Sequence, residues 1–447
     1  MTEAAAPGGA KDRFIARLVS FLTRMLYREI DVHWVEPPPE SGPQLTVANH
    51  FGGVADAIVL LAVSPRRPGV IARSVIWKPP LVGRLLDWIG AIPVHKADDA
   101  GGAGSSNDQM FRSCYDALSD GGHLLIFPEG VTRNEPSMAP VKTGAARIAL
   151  GARATGAEGL TIVPIGIHYE DKALLRSRIV VNGGRPIDLD RTVDAMSAVE
   201  ASAPVSADDR EAVRVLTGEI AERLRTVAPD YADWDEAHAL SSAAEVTLRA
   251  QLDDPSQPVP VGLRDRLANA LADRPPERRA AIVDAVHAYE RDLEALGVTD
   301  ADLHQRASAR RLSTRLAVQL VAGVLLLPFA VVGAVVNALP LLVVWLVGRR
   351  RMSASMAATV KPVAAIAAFG ATWAVVAWGA LREWGAPGLA ASIVLLPVYL
   401  TATLIVGERL VLAWRALRRH LRTRRRGPPT AVLAEERRAV IERVVAR

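Results

Sequence analysis

The chain has 447 residues, one cysteine and a formal charge of +5, so it is too long for one hydrophobic core and is expected to divide into several units. A single cysteine excludes an intramolecular disulfide and fits a reducing compartment, and MTEAAAPGGAKD at the start lacks the basic end and apolar core of a signal peptide. The basic surplus does not read as nucleic-acid binding, because its densest run, Arg415 to Arg426, directly follows the last apolar segment, where it suits anionic lipid headgroups on the cytoplasmic side.

In chain order, residues 13–30 place Phe14, Ile15, Leu18, Phe21, Leu22, Met25 and Leu26 at helical spacing, with Arg17, Arg24 and Arg28 elsewhere around the turn. Residues 1–30 therefore read as an amphipathic helix that lies in a membrane interface or covers a sheet. From 31 to 200 short β-rich runs (DVHWV, QLTVA, VIAR, AIPVH, HLLIF, TIVPIGIHY, RIVVNGG) alternate with helical stretches such as Asp108–Leu118 and Lys142–Gly151. The alternation predicts an α/β domain, layered around a central, mostly parallel and largely buried sheet. Residues 201–312 read as a helical extension, with apolar positions at Val213, Leu216, Ile220, Leu224 and Val227.

The 33 residues Leu316 to Gly348 carry no charge. One straight helix of that length would run to about 50 Å, against a bilayer core of about 30 Å. Pro328, Asn337 and Pro340 predict a bent or re-entrant hairpin, while Pro362–Ala380 and Gly388–Val406 each match one crossing joined by LREWGAP. Residues 313–410 are thus expected to be transmembrane or re-entrant helices, and 411–447 a basic cytoplasmic tail. With arginines at 310, 311, 315 and 349–351 on one side, the expectation is a multi-pass protein of the cytoplasmic membrane whose larger soluble part faces the cytoplasm.

Two stretches carry chemistry. In VANHFGGVADAIVL (Val47–Leu60), a buried run stops at Asn49-His50, crosses two glycines, and places Asp56 as the chain becomes apolar again. By itself Asp56 reads as the cap of the following helix. In LLIFPEGVTRNEPSMAPVKTGAAR (Leu124–Arg147), a strand ends at Pro128-Glu129-Gly130, with Arg133 and Lys142 close behind. A carboxylate beside a glycine with two nearby cations suits a ligand bearing hydroxyls and a phosphate, and equally describes a turn with a solvated glutamate.

Together, NH-x5-D and FPEG-x-TR resemble the motifs of the glycerolipid acyltransferases, whose usual forms are NH-x4-D and FPEGTRS. The extra residue in each block is similar to the fungal-type glycerol-3-phosphate/dihydroxyacetone-phosphate branch. Gly90-Ala-Ile-Pro-Val-His-Lys96-Ala-Asp98 resembles the second block, with Lys96 where arginine is usual, and Val163-Pro-Ile-Gly-Ile-His-Tyr169 with RSRIVVNGGRPI resembles the fourth. The resemblance implies transfer of a fatty acyl group from acyl-CoA or acyl-carrier protein to glycerol 3-phosphate or 1-acylglycerol 3-phosphate in phospholipid biosynthesis. Another lysolipid or glycolipid acceptor, or a non-catalytic lipid-binding protein, is the alternative.

The resemblance implies His50 as the base for the acceptor hydroxyl and Asp56 as the group that orients it. Gly52-Gly53 would let Asp56 fold back. Lys96, Glu129, Gly130, Arg133 and Lys142 become acceptor contacts, with Arg133 either binding phosphate or shaping its loop. No cofactor or metal is expected beyond the acyl donor as co-substrate; the expected partners are membrane lipids, the donor and a phosphorylated glycerol acceptor. Cys114, His95, His123 and His168 are expected to be structural.

Overall fold

The computed structural model describes residues 10–77, 80–94, 103–132, 135–170, 177–199, 205–255, 257–296, 298–304, 309–350, 354–426 and 431–446. The chain divides into two compact units, Met1–Asp233 and Trp234–Arg447.

The first unit runs α1 (Ala10–Leu26), β1 (Tyr27–Trp34), β2 (Gln44–Ala48), α2 (Val54–Val63), β3 (Gly69–Arg73), α3 (Pro80–Ile89), β4 (Ile92–Val94), α4 (Ala103–Ser119), β5 (His123–Ile126), α5 (Gly144–Ala154), β6 (Thr161–Tyr169), β7 (Ser177–Gly183), β8 (Ile187–Asp188), α6 (Leu189–Val199) and α7 (Arg210–Arg225). The sheet order is β1-β7-β6-β2-β5-β3-β4, with β8 beside β6. Its pairs are parallel except β6 with β7 and with β8. This is the α/β, mostly parallel architecture that the alternation predicts. All five residues of β2 are buried, as expected of a strand flanked by parallel neighbours and covered on both faces. One core, around Leu45, Cys114, Leu118, Ile148 and Ile162, lies under α4, α5 and α7; another gathers Ala48, Phe51, Val59, Leu125, Ile165, Ile167 and Tyr169.

Two sequence expectations shift. The first helix stops at Leu26 rather than continuing to 30, because Tyr27–Trp34 pairs in parallel with β7; ladder pairing outweighs a helical periodicity that would run on for one turn. The α/β unit also extends past 200. Val213, Leu216, Ile220 and Leu224 on α7 are buried in the same core as β2 and α5, so the first helix of the expected extension belongs to the sheet's own packing.

The second unit runs α8 (Trp234–Gln251), α9 (Val261–Ala272), α10 (Pro276–Leu296), α11 (Asp300–His304), α12 (Ala309–Val336), α13 (Ala338–Arg349), α14 (Ala354–Arg426) and α15 (Ala431–Val445). Pro328 lies within α12, and of the three expected positions the 64° bend falls at Asn337. There the buried asparagine accepts from Trp373 Nε1 at 2.9 Å and donates to Gly333 O at 2.8 Å. α14 breaks at Gly385 (φ 63°, ψ −152°). A Cβ on Gly388 would stand 2.4 Å from Ala380 O. Eight residues in a straight helix would be about 12 Å apart, so the chain turns back on itself here. Among the described residues, one helix is long and apolar enough to cross a membrane, or two if the bent α12–α13 pair counts as one span. Val324, Leu325, Val335, Leu339, Val375, Ile393 and Val394 are exposed along these helices, an arrangement that water penalises and lipid does not.

Candidate active site

β2, β5 and β6 run parallel, so their carboxyl ends open on the same edge of the sheet, the usual place for a ligand. β2 ends at Ala48, and Asn49 extends it with its side chain in place of backbone: Nδ2 donates to Ile167 O at 3.0 Å, and Oδ1 accepts from Ile167 N at 2.7 Å. This ties the strand end to β6 and fixes where His50 begins.

The glycine pair then does two different jobs. Gly53 adopts φ 62°, ψ −128° and offers α2 no side-chain cap, a backbone state few side chains tolerate. Gly52 makes room: a Cβ there would lie 2.3 Å from the Tyr169 hydroxyl and 2.6 Å from Asp56 Oδ1. Asp56, in the first turn of α2, reaches back so that Oδ2 accepts from Gly52 N at 2.8 Å and from His50 Nδ1 at 2.9 Å. Asp56 is fully buried, whereas the His50 side chain is 19% exposed. Because an ionised carboxylate only accepts, the imidazole proton sits on Nδ1, which leaves the Nε2 lone pair to receive a proton. The His50 ring stacks on Phe127, with centroids 4.0 Å apart and planes 18° apart, which fixes its second degree of freedom.

Glu129 differs from the expectation of an acceptor contact. It is completely buried. Oε1 accepts from His50 N at 2.9 Å and Oε2 from Ala139 N at 2.8 Å, so the carboxylate joins the histidine loop to the loop after β5 instead of facing a ligand. Burial pushes its carboxyl above the ordinary carboxylate range, against the two backbone N–H donors and His50, which pull it down.

Gly130 has φ 63° and closes a turn by donating to Phe127 O at 3.0 Å. Lys142 N donates to Pro128 O at 2.9 Å, and the Lys142 side chain lies over Gly130, with Nζ 3.1 Å from where a Cβ would be. An exposed ammonium thus stands beside the Phe127–Gly130 turn. Lys96 and Arg133 lie outside the described residues.

Tyr169, which sequence reasoning passed over, completes the group: its hydroxyl donates a short hydrogen bond to Asp56 Oδ1. Burial, and then the Asp56 charge, push the phenol well above its usual range, so it remains an O–H donor. The only sequence signal was its place at the end of an apolar strand in the fourth block.

His123 and Cys114 are structural, and His95 lies outside the described residues. His123 is held between Thr46 Oγ1 at 2.8 Å and Arg66 O at 2.9 Å, and burial pushes it down to about 4. Cys114 is buried, and its thiol is pushed up to about 12, which makes it a packing residue and no nucleophile. Among the described residues no three His, Cys, Asp or Glu side chains converge as a metal site would need.

Residues 29–168 match the Acyltransferase family model. Over 219 residues, 48% of the chain, it is 29% identical to Glycerol-3-phosphate O-acyltransferase 2 of Saccharomyces cerevisiae, of which it spans 28%. Over 162 residues, 36% of the chain, it is 26% identical to the chloroplastic 1-acyl-sn-glycerol-3-phosphate acyltransferase BAT2 of Brassica napus, of which it spans 43%. The chain therefore spans less than half the length of these curated relatives. The crystal structure of the 1-acyl-sn-glycerophosphate (LPA) acyltransferase PlsC from Thermotoga maritima is similar over 48% of this chain and 79% of that one, at 19% identity and a TM-score of 0.34.

Proposed function

Given that the chain carries an acyltransferase-family domain over residues 29–168, we propose that it transfers a fatty acyl group from a thioester donor, acyl-CoA or acyl-carrier protein, to a hydroxyl of glycerol 3-phosphate or of its monoacyl form at a membrane. The observation that carries this reading is the 2.9 Å bond from the partly exposed His50 to the fully buried Asp56. That pair is a general base with its orienting partner, and the chemistry needs little more.

His50 Nε2 accepts the proton as the acceptor oxygen forms a bond to the thioester carbonyl carbon. The tetrahedral intermediate then collapses, the carbon–sulfur bond breaks, and the imidazolium returns the proton to the departing thiolate. Acyl group and proton both balance, with no covalent acyl-enzyme and no external oxidant. Asp56 stabilises the transient imidazolium. Lys142, exposed beside the Gly130 turn, supplies a point charge for the acceptor phosphate, and Lys96 and Arg133 are proposed to add to it.

The relatives named for glycerol 3-phosphate and 1-acyl-sn-glycerol 3-phosphate support this acceptor class. The exposed apolar helices α12 to α14 support a membrane location, with α14 crossing twice about its break at Gly385 and the acyltransferase domain on the cytoplasmic side. Purified protein supplied with labelled acyl-CoA or acyl-carrier protein should acylate one of the two acceptors; transfer only to another lysolipid or a glycolipid, or to none, would overturn the assignment. For the topology, a cysteine at Glu383 should react with an impermeant thiol reagent applied to intact cells, while one at Glu442 should not. The buried Cys114 is left in place. Labelling at 442 would reverse the orientation.

A further inference from the structure

Three donors surround the Asp56 carboxylate, and they divide its oxygens unequally. Oδ2 receives the Nδ1–H of His50 at 2.9 Å and the N–H of Gly52 at 2.8 Å, while Oδ1 receives the hydroxyl of Tyr169. The first two come from the histidine loop itself. Tyr169 comes from the far end of β6, 113 residues away in sequence, and sits in the apolar cluster with Ala48, Ile165 and Ile167, its ring 6.0 Å from that of Tyr27. A carboxylate held only by its own loop could rotate about its last torsion or follow the loop. One held at Oδ1 from the sheet cannot.

We propose that Tyr169 is a positioning residue for the transfer reaction. Its hydroxyl anchors Asp56 to the sheet so that Oδ2 faces His50, and it draws off part of the carboxylate charge. The proposal rests on the reading of His50 as the base.

It has a chemical consequence. Asp56 favours the protonated imidazole in proportion to the charge it presents, and a base must be unprotonated to begin the reaction. The Tyr169 donor softens that pull. Tyr27 from β1, which is hydrogen-bonded to Tyr169 and feels the Asp56 charge, and Glu129 from the turn after β5 also act on this group. Neither donates to Oδ1, so neither replaces the hydroxyl.

The test uses the full-length protein, purified in detergent, and measures acyl transfer against pH for the wild type, Tyr169→Phe and a protein carrying trifluorotyrosine at 169. The fluorinated ring keeps the hydroxyl and is a stronger donor. Tyr169→Phe should lower kcat by about ten- to a hundred-fold, the scale of one lost bond to a buried charge, with KM for donor and acceptor held within about twofold. It should also move the acid limb of kcat/KM to higher pH, and trifluorotyrosine should move it to lower pH. An acid limb unmoved by both substitutions overturns the proposal, even if Tyr169→Phe melts early and loses activity. If Tyr169→Phe does not fold, the direction of the trifluorotyrosine shift decides. His50→Ala is assayed alongside: normal turnover there removes the base reading, whereas an inactive His50→Ala with an indifferent Tyr169→Phe removes only this proposal.

Discussion

Gly52→Ala is a small change with a large expected effect. Its Cβ would stand 2.3 Å from the Tyr169 hydroxyl, 2.6 Å from Asp56 Oδ1 and 2.7 Å from Tyr169 Cζ. Ordinary contact between such atoms is about 3.5 Å, so one partner must retreat by roughly 1 Å. Tyr169 is packed into the second core and Asp56 is fully buried, which leaves the histidine loop as the part that yields. Overpacking of this kind costs about 1–3 kcal/mol, and breaking a hydrogen bond to a buried charge about 1.5–3 kcal/mol. Displacing a base by about 1 Å is expected to lower turnover on the order of a hundred-fold. Acyl transfer and the thermal midpoint are measured together. Gly218→Ala, in α7 with nothing within 4 Å of the added carbon, is the control and should leave turnover unchanged. Full activity in Gly52→Ala would mean that the Asp56–Tyr169 arrangement does not matter to the reaction.

Glu129→Gln presents an amide N–H₂ to one of the two backbone N–H groups that the carboxylate now satisfies, so it should lower stability by about 1–3 kcal/mol and reduce kcat more than it raises the acceptor KM; a rise in acceptor KM alone would restore Glu129 as a ligand contact. His123 stays neutral in the fold, with its pKa down from 6.5 to about 4, so the unfolded chain binds the extra proton between those values and stability falls as pH drops through them. At pH 5 the loss is on the order of 2 kcal/mol. The thermal midpoint of His123→Gln should fall less between pH 7.5 and pH 5 than that of the wild type, and parallel curves would contradict this. Lys142→Ala should raise KM for a phosphorylated acceptor by about tenfold and leave KM for the acyl donor alone; the reverse pattern would move the phosphate elsewhere.

What the sequence disclosed follows from the range of the interactions involved. The strands were legible because burial on both faces leaves apolar runs, as in Gln44–Ala48 and Thr161–Tyr169. His50 and Asp56 were legible through the resemblance that NH-x5-D and FPEG-x-TR carry together, since the six-residue spacing alone left Asp56 readable as a helix cap. Tyr169 was not, because its contact with Asp56 depends on the parallel register that sets Ala48 opposite Ile165, which no local pattern encodes. Glu129 stood out as a motif residue, but its task did not, since a carboxylate written beside a glycine looks the same whether it faces a ligand or two backbone amides. The end of the α/β unit was set too early, at 200, for a related reason: the apolar stripe of α7 reads as a helix against anything, and only the fold shows that the sheet's core receives it.

In the proposed mechanism His50, oriented by Asp56, takes the proton from the acceptor hydroxyl. The direct measurement is transfer of a labelled acyl group by purified His50→Ala, with Asp56→Asn beside it and membrane retention and thermal midpoint recorded for both. His50→Ala is expected to remain folded and membrane-bound with no measurable transfer. Asp56→Asn is expected to lose most of its activity, because an amide can donate to Nδ1 and reverse the tautomer. Turnover at the wild-type rate in folded His50→Ala would remove His50 as the base.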